Sequence, residues 1–209
     1  MKPVSTMYRM LRQFAMNSNP SENAVQRMMD WAHGKFWLYD QLGRVHPEVL
    51  YGVVRYCANA LKINHFVVDS LMKCVRGEDD YNGQKDFVDE LTAIARDFGI
   101  HIHLVHHVRK GETEDRLPGK FDGKGSGAIS DQVDQVFTVW RNKKKEREIA
   151  KLVAERKEVN DEMLNKPDAI LACDKNRHGE WEGLVNLWFH PESLQYTGDK
   201  RRMPINMWG

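Results

Sequence analysis

Two stretches of helical periodicity, each feeding directly into a short β-branched run, constrain this chain more than any other feature. Residues 45–61 carry apolar side chains at helical spacing and lead into Asn64-His65-Phe66-Val67-Val68-Asp69, a strand-like run that ends on a carboxylate. Residues 87–98 repeat the arrangement: Phe87, Val88, Leu91, Ile94, Ala95 and Phe98 share one helical face and Gly99 takes the C′ position, after which residues 100–107 read as the next strand. A helix delivering into a buried strand, twice over, points to an α/β sheet.

The flanking segments fit around that frame. Val4, Met7, Met10, Leu11 and Phe14 predict an amphipathic helix over residues 2–16, and Ser21 followed by Glu22 starts a second helix through Met28, Met29 and Trp31. Phe36-Trp37-Leu38-Tyr39-Asp40 reads as a short strand. Residues 109–127, rich in Gly, Lys, Asp and Glu, read as a long surface loop of a length that usually has a function. Residues 133–140 predict a further strand, residues 142–165 a charged helix suited to an exposed hairpin or partner-binding arm, and residues 169–174, 184–189 and 194–196 three more β segments.

Composition narrows the class without choosing a function. With 209 residues and 41% hydrophobic content the chain suits one sizeable core, and a single domain is the default. A net charge of +1 argues neither for nor against nucleic acid, so any DNA site must be local. The odd, scattered Cys57, Cys74 and Cys173 suit reduced thiols in a cytoplasmic protein. With no signal core and no long apolar run, a soluble protein with no membrane role is expected.

Four constellations carry possible chemistry. Asp69 would sit at the C-terminal edge of a sheet, where ligands bind in doubly wound folds and where an Asp can hold Mg²⁺ through its water shell; a helix-capping Asp looks the same. In His101-x-His103-x-x-His106-His107, the alternation of a strand puts His101 and His103 on one face, which raises a metal site and a metallo-hydrolase. Val105 stands where such a run would want aspartate, and ordinary surface histidines fit as well. Alternatively His107, on a strand beside that of Asp69, can hydrogen-bond a γ-phosphate. Lys124-Gly125-Ser126-Gly127 allows close backbone approach to a phosphate and is also an ordinary turn. Lys175-Asn176-Arg177-His178-Gly179 sets two cations just past a strand end, a suitable grip for a polyphosphate as well as a solvated β-turn.

Taken in order, Phe66-Val67-Val68-Asp69, Leu104-Val105-His106-His107-Val108-Arg109-Lys110, Lys124-Gly125-Ser126-Gly127-Ala128, Trp140-Arg141-Asn142 and Lys175-Asn176-Arg177-His178-Gly179 resemble successive motifs of hexameric DnaB-like replicative helicases, nearest to phage helicase-primases and mitochondrial Twinkle. The resemblance covers nearly the whole chain except the arm at residues 143–166. It implies a RecA-like P-loop NTPase core with a mostly parallel sheet and C-terminal antiparallel strands, forming one partial domain over residues 1–209. Asp69 matches the Walker B aspartate and His107 the histidine that senses the γ-phosphate of ATP. Arg177 resembles the arginine finger that reaches a neighbouring subunit, with Lys175 its companion cation. Arg141 and Phe189 match residues that sandwich the base. Lys124, Gly125, Ser126 and Gly127, with Arg109, match contacts to single-stranded DNA that grip phosphates without reading sequence. Mg²⁺ and ATP are the implied cofactor and substrate, and other helicase subunits, in a hexamer, the implied protein partners.

Two departures from the pattern qualify what it implies. Asp131 occupies a position where the family often has glutamine, with Gln132 adjacent. No G-x-x-x-x-G-K-[ST] occurs among the 209 residues, and the catalytic glutamate of the relatives would fall before Met1. The expectation is therefore an N-terminally truncated motor that lacks the first strand and phosphate loop, or alternatively a non-catalytic subunit acting in trans on a complete helicase. Without the central strand two sheet edges would be left unpaired and the fold marginal by itself.

Overall fold

The computed structural model describes residues 3–41, 43–77, 79–107 and 127–207. In chain order the elements are α1 (Pro3–Ala15), α2 (Glu22–Ala32), α3 (Pro47–Ala60), β1 (His65–Asp69), α4 (Tyr81–Phe98), β2 (His101–Val105), α5 (Gly127–Gln132), β3 (Gln135–Arg141), α6 (Lys143–Ala154), α7 (Asp161–Asn165), β4 (Ala169–Asn176), β5 (Gly183–His190) and β6 (Gln195–Thr197). Strands β1 and β2 pair in parallel, and β3-β4-β5-β6 form a second sheet in that order. The chain divides into two compact units, one of Met1–Asp40, Val139–Ala172 and Leu184–Gly209, the other of Gln41–Thr138 and Cys173–Gly183.

The second of these units is built on the helix-to-strand pattern of residues 45–107. Helix α4 begins where the Asp80 side chain accepts from Gly83 N at 3.0 Å. A Cβ on Gly83 would crowd the Asp80 carboxylate, so glycine suits the cap in its present geometry. The helix ends at Gly99, whose φ of 61° is the left-handed conformation that a residue without Cβ adopts cheaply. Its apolar stripe, Phe87, Val88, Leu91 and Ile94, packs with Leu50, Tyr51 and Val54 of α3, Val68 of β1 and Leu71 of the 3₁₀ turn Leu71–Lys73. Burying each of these large side chains contributes about 1.5–3 kcal/mol. Arg55 and Glu90 form an ion pair between α3 and α4.

The parallel pair alternates as its burial requires. Phe66, Val68, Ile102 and Leu104 turn toward the α3–α4 layer, while His65, Val67, Asp69, His101, His103 and Val105 are exposed. Register runs from His65 opposite His101 to Asp69 opposite Val105.

The other unit is stitched by polar contacts from α1. Phe14 and Trp31 join α1 to α2 with ring centroids 4.9 Å apart. Arg12 donates to Pro191 O at 2.8 Å and Glu192 O at 3.1 Å, and Gln13 to Leu194 O at 3.2 Å. The buried Gln195 answers, donating to Gln13 O at 2.8 Å and Ile205 O at 2.9 Å while its Oε1 accepts from Ile205 N at 2.9 Å. Phe189 lies opposite Tyr196 on β5 and β6, which run antiparallel.

Several expectations are corrected. Residues 36–40 form no strand; no sheet edge accepts them. The single helix expected over 142–165 is two, because the chain turns at Arg156, with φ of 54°, and restarts at Asn160, whose side chain caps Met163 N. Of the mostly parallel sheet, the described residues contain the β1–β2 pair; the larger sheet is antiparallel, since hairpin turns and not helical crossovers join β4, β5 and β6. Gly127, expected in a loop, begins α5. Among the described residues no helix is long and apolar enough to cross a membrane.

Candidate functional site

Parallel pairing brings Asp69 and His107 to the same end of one small sheet. Asp69 is the last residue of β1 and lies opposite Val105, the last residue of β2, and His107 follows two residues later. Both side chains are exposed. Among the described residues no protein donor or cation engages the Asp69 carboxylate. An exposed, uncommitted carboxylate at a strand end is what a hydrated Mg²⁺ requires, since that ion keeps most of its water and takes few protein ligands. Asp69 therefore fits the ion that the motif implies. The peptide bond from Asp69 to Ser70 is cis.

Lys175 and Arg177 do point the same way, but toward protein. Lys175 Nζ donates to Ser130 O at 2.6 Å and Asp131 O at 3.1 Å. The Arg177 guanidinium donates to Asp131 O at 2.5 Å and lies 3.3 Å from Asp134 Oδ1, and its backbone N–H bonds Asp134 O at 2.9 Å. Two cations thus close the C-terminus of α5, where carbonyls lack helical partners and the helix dipole favours positive charge. His178 adds a 3.8 Å approach to Asp134. Ile129 and Val133 in turn pack against the core of the same unit, so this segment is fixed to α4 and its neighbours.

The acceptors Ser130, Asp131 and Asp134 were not singled out in the sequence beyond the glutamine position at Asp131. The available signal is that Asp134 lies between α5 and a strand whose neighbour carries the two cations. The same neighbours are locked further along: Thr138 Oγ1 donates to Asp174 Oδ2 at 2.5 Å and Gln135 Nε2 to Asn176 Oδ1 at 3.0 Å.

Arg141 and Phe189, expected at a base, have protein partners in this structure. Arg141 forms a bidentate pair with Glu146, Nε to Oε1 at 2.5 Å and Nη2 to Oε2 at 2.8 Å, and this hydrogen bonding raises the already high pKa of the guanidinium. Phe189 stacks obliquely on Tyr196 with centroids 5.1 Å apart. Arg109, Lys124, Gly125 and Ser126 lie outside the described residues, and Gly127 opens α5. As the side chains stand, no group of three or more His, Cys, Asp or Glu among the described residues is arranged to hold a metal ion.

The fold defined by these elements is a mixed α/β one, with a parallel pair in which β1 ends on Asp69 and β2 is followed two residues later by His107. It is similar to the fold of a DnaB-like replicative helicase, from a structure that also concerns that helicase's interactions with primase: TM-score 0.67, 14% sequence identity, 94% of this chain covered. The chain spans 49% of that helicase, about half its length. No family model matches the chain, and no curated protein does.

Proposed function

We propose that the chain forms part of the nucleotide site of a DnaB-like, ring-forming DNA helicase that moves along single-stranded DNA. In this reading Asp69 orients the water shell of Mg²⁺ and His107 hydrogen-bonds the γ-phosphate of ATP. Arg177 and Lys175 serve the polyphosphate at a subunit interface, and Arg141 and Phe189 flank the base. Residues Lys124, Gly125, Ser126 and Gly127, with Arg109, track the DNA backbone. Mg²⁺, when bound, supplies charge neutralisation on the transferring phosphoryl group.

The observation that carries the reading is the register of β1 on β2, which sets a carboxylate with no partner among the described residues and an exposed imidazole at one sheet end. The fold likeness over 94% of the chain supports it. Because no G-x-x-x-x-G-K-[ST] occurs in the 209 residues, the phosphate cradle in this reading lies outside them. For Arg177 and Lys175 to meet a phosphate, they must let go of the α5 carbonyls, so nucleotide binding and release of that helix end are coupled.

The test mixes the 209-residue chain with an intact DnaB-like helicase and follows ATP hydrolysis with and without single-stranded DNA. Dose-dependent stimulation or poisoning, lost in Asp69→Asn and Arg177→Ala, is expected. Hydrolysis that stays constant while the chain is shown to enter the ring would remove the proposal.

A further inference from the structure

The cations of α6 divide by where the fold sends them. Lys145 turns inward onto Asp168 and the carbonyls of Leu164 and Lys166. Lys143, Lys144, Arg147 and Lys151 are all exposed. At 3.6 residues per turn these four fall in one sector about 100° wide, centred nearly opposite Lys145. Of the helix's acidic side chains, Glu146 is held by Arg141, and Glu148 and Glu155 border the basic sector on one side only. Lys151 approaches Glu155 at 4.0 Å, an exposed pair that contributes little and exchanges readily for another anion.

Lys143, Arg147 and Lys151 stand four residues apart, so the helix offers positive charge in steps of about 6 Å along a straight line. Like charges at that spacing weaken a helix, and a polyanion laid along the line would relieve the repulsion. A phosphodiester backbone is such a polyanion, whereas the carboxylates of an acidic protein surface are scattered. No aromatic side chain lies in the sector, so the face has counter-charge for phosphates and nothing on which an unpaired base could stack. That favours a duplex, whose bases already stack on one another and whose backbone carries about one negative charge per 1.7 Å of axis.

We propose that the outer face of α6, through Lys143, Lys144, Arg147 and Lys151, docks on the phosphate backbone of duplex DNA without regard to sequence. The face uses none of the residues assigned above to the nucleotide or to single-stranded DNA, and it does not depend on either assignment. The buried Lys145 fastens the helix to its unit, so the charge ladder is presented on a fixed element.

The test is fluorescence anisotropy of a short labelled DNA duplex of mixed sequence, titrated with the full chain over a range of salt. Micromolar binding is expected near 50 mM salt, with a slope of log affinity against log salt between about −3 and −4, the value for three or four phosphates. Combining Lys143→Ala, Arg147→Ala and Lys151→Ala should weaken duplex binding at least about tenfold and bring the slope to about −1, while Lys85→Ala on α4 changes neither. Alanine is favoured in helices and the three side chains are exposed, so an unchanged circular dichroism spectrum is expected of the triple variant. Its binding to a single strand of the same length should also stay constant. Duplex binding that survives the triple substitution with its slope intact overturns the proposal, and so does a single strand that loses as much as the duplex. Absence of duplex binding by the wild-type chain up to about 100 μM overturns it as well, a result that does not depend on whether the variants fold.

Discussion

Lys145 Nζ lies 2.6 Å from Asp168 Oδ1 and 2.6 Å from Lys166 O, with the lysine side chain only 4% exposed. The second oxygen of Asp168 accepts from Phe189 N at 2.9 Å. One buried cation therefore ties α6 to the segment entering β4 and, through the carboxylate, to β5. Lys145→Met should destabilise this unit by about 3 kcal/mol, because it leaves Asp168 half-paired while keeping the volume. The exposed pair of Lys166 and Glu162, 3.9 Å apart, is the control: Lys166→Ala should cost about 0.5 kcal/mol or less in its ion-pair term. Urea denaturation of the two variants checks the contrast.

Phe87 is 1% exposed and stacks on Tyr51 with centroids 5.6 Å apart. Phe87→Ala should cost about 3–5 kcal/mol, since the surrounding helices collapse only partly onto the space left. A lowered thermal transition measured by circular dichroism is the expected result; a shift of only a degree or two would mean that α3 and α4 repack freely.

Arg177→Ala removes one of the two cations at the end of α5. The ion pair with Asp134 is about 40% exposed on each side and so contributes little. The larger effect is local: amides in the segment from α5 to Asp134 should exchange with solvent about fivefold faster, equivalent to about 1 kcal/mol of lost closure. Hydrogen-exchange mass spectrometry reads this directly, and unchanged exchange would show that Lys175 holds the helix end unaided.

His103 has its pKa lowered, first by desolvation and then by the neighbouring His101 and His65. The folded chain therefore resists protonation at a pH where the unfolded chain accepts it. Stability should rise with pH across the window from the lowered value up to about 6.5, and be flat above it in this term. Urea midpoints between pH 5 and 7.5 should show this slope, reduced in His103→Gln.

The parts of the fold legible in the sequence are those in which periodicity and end chemistry agree. Helices α1 to α4 carry full apolar stripes, and Ser21 and Gly99 mark a start and a stop by mechanisms local to the chain. The pairing of the Asp69 and His107 strands was legible because a β-branched run after each helix leaves little alternative. Helix α5 was hidden: six residues are too few to show a period, and its end is held by Lys175 and Arg177 from more than 40 residues away. The turn at Arg156 carries no glycine to announce it. Phe36 to Asp40 have strand-like composition, but composition cannot say whether an edge is available to pair with them. The cations at 175 and 177 illustrate the same limit, since spacing gives their common direction and not the acceptors they meet.

The contacts of Arg12 and Gln13 reach residues 191 and 194, some 180 positions along the chain. On the ribosome, α1 must therefore wait for some 180 further residues to emerge before these acceptors exist. The α3–α4 core draws on partners within a few dozen residues and can condense much earlier. Synthesis halted before Pro191 would leave the α3–α4 core consolidated and the amphipathic α1 without these acceptors, open to chaperones and proteases.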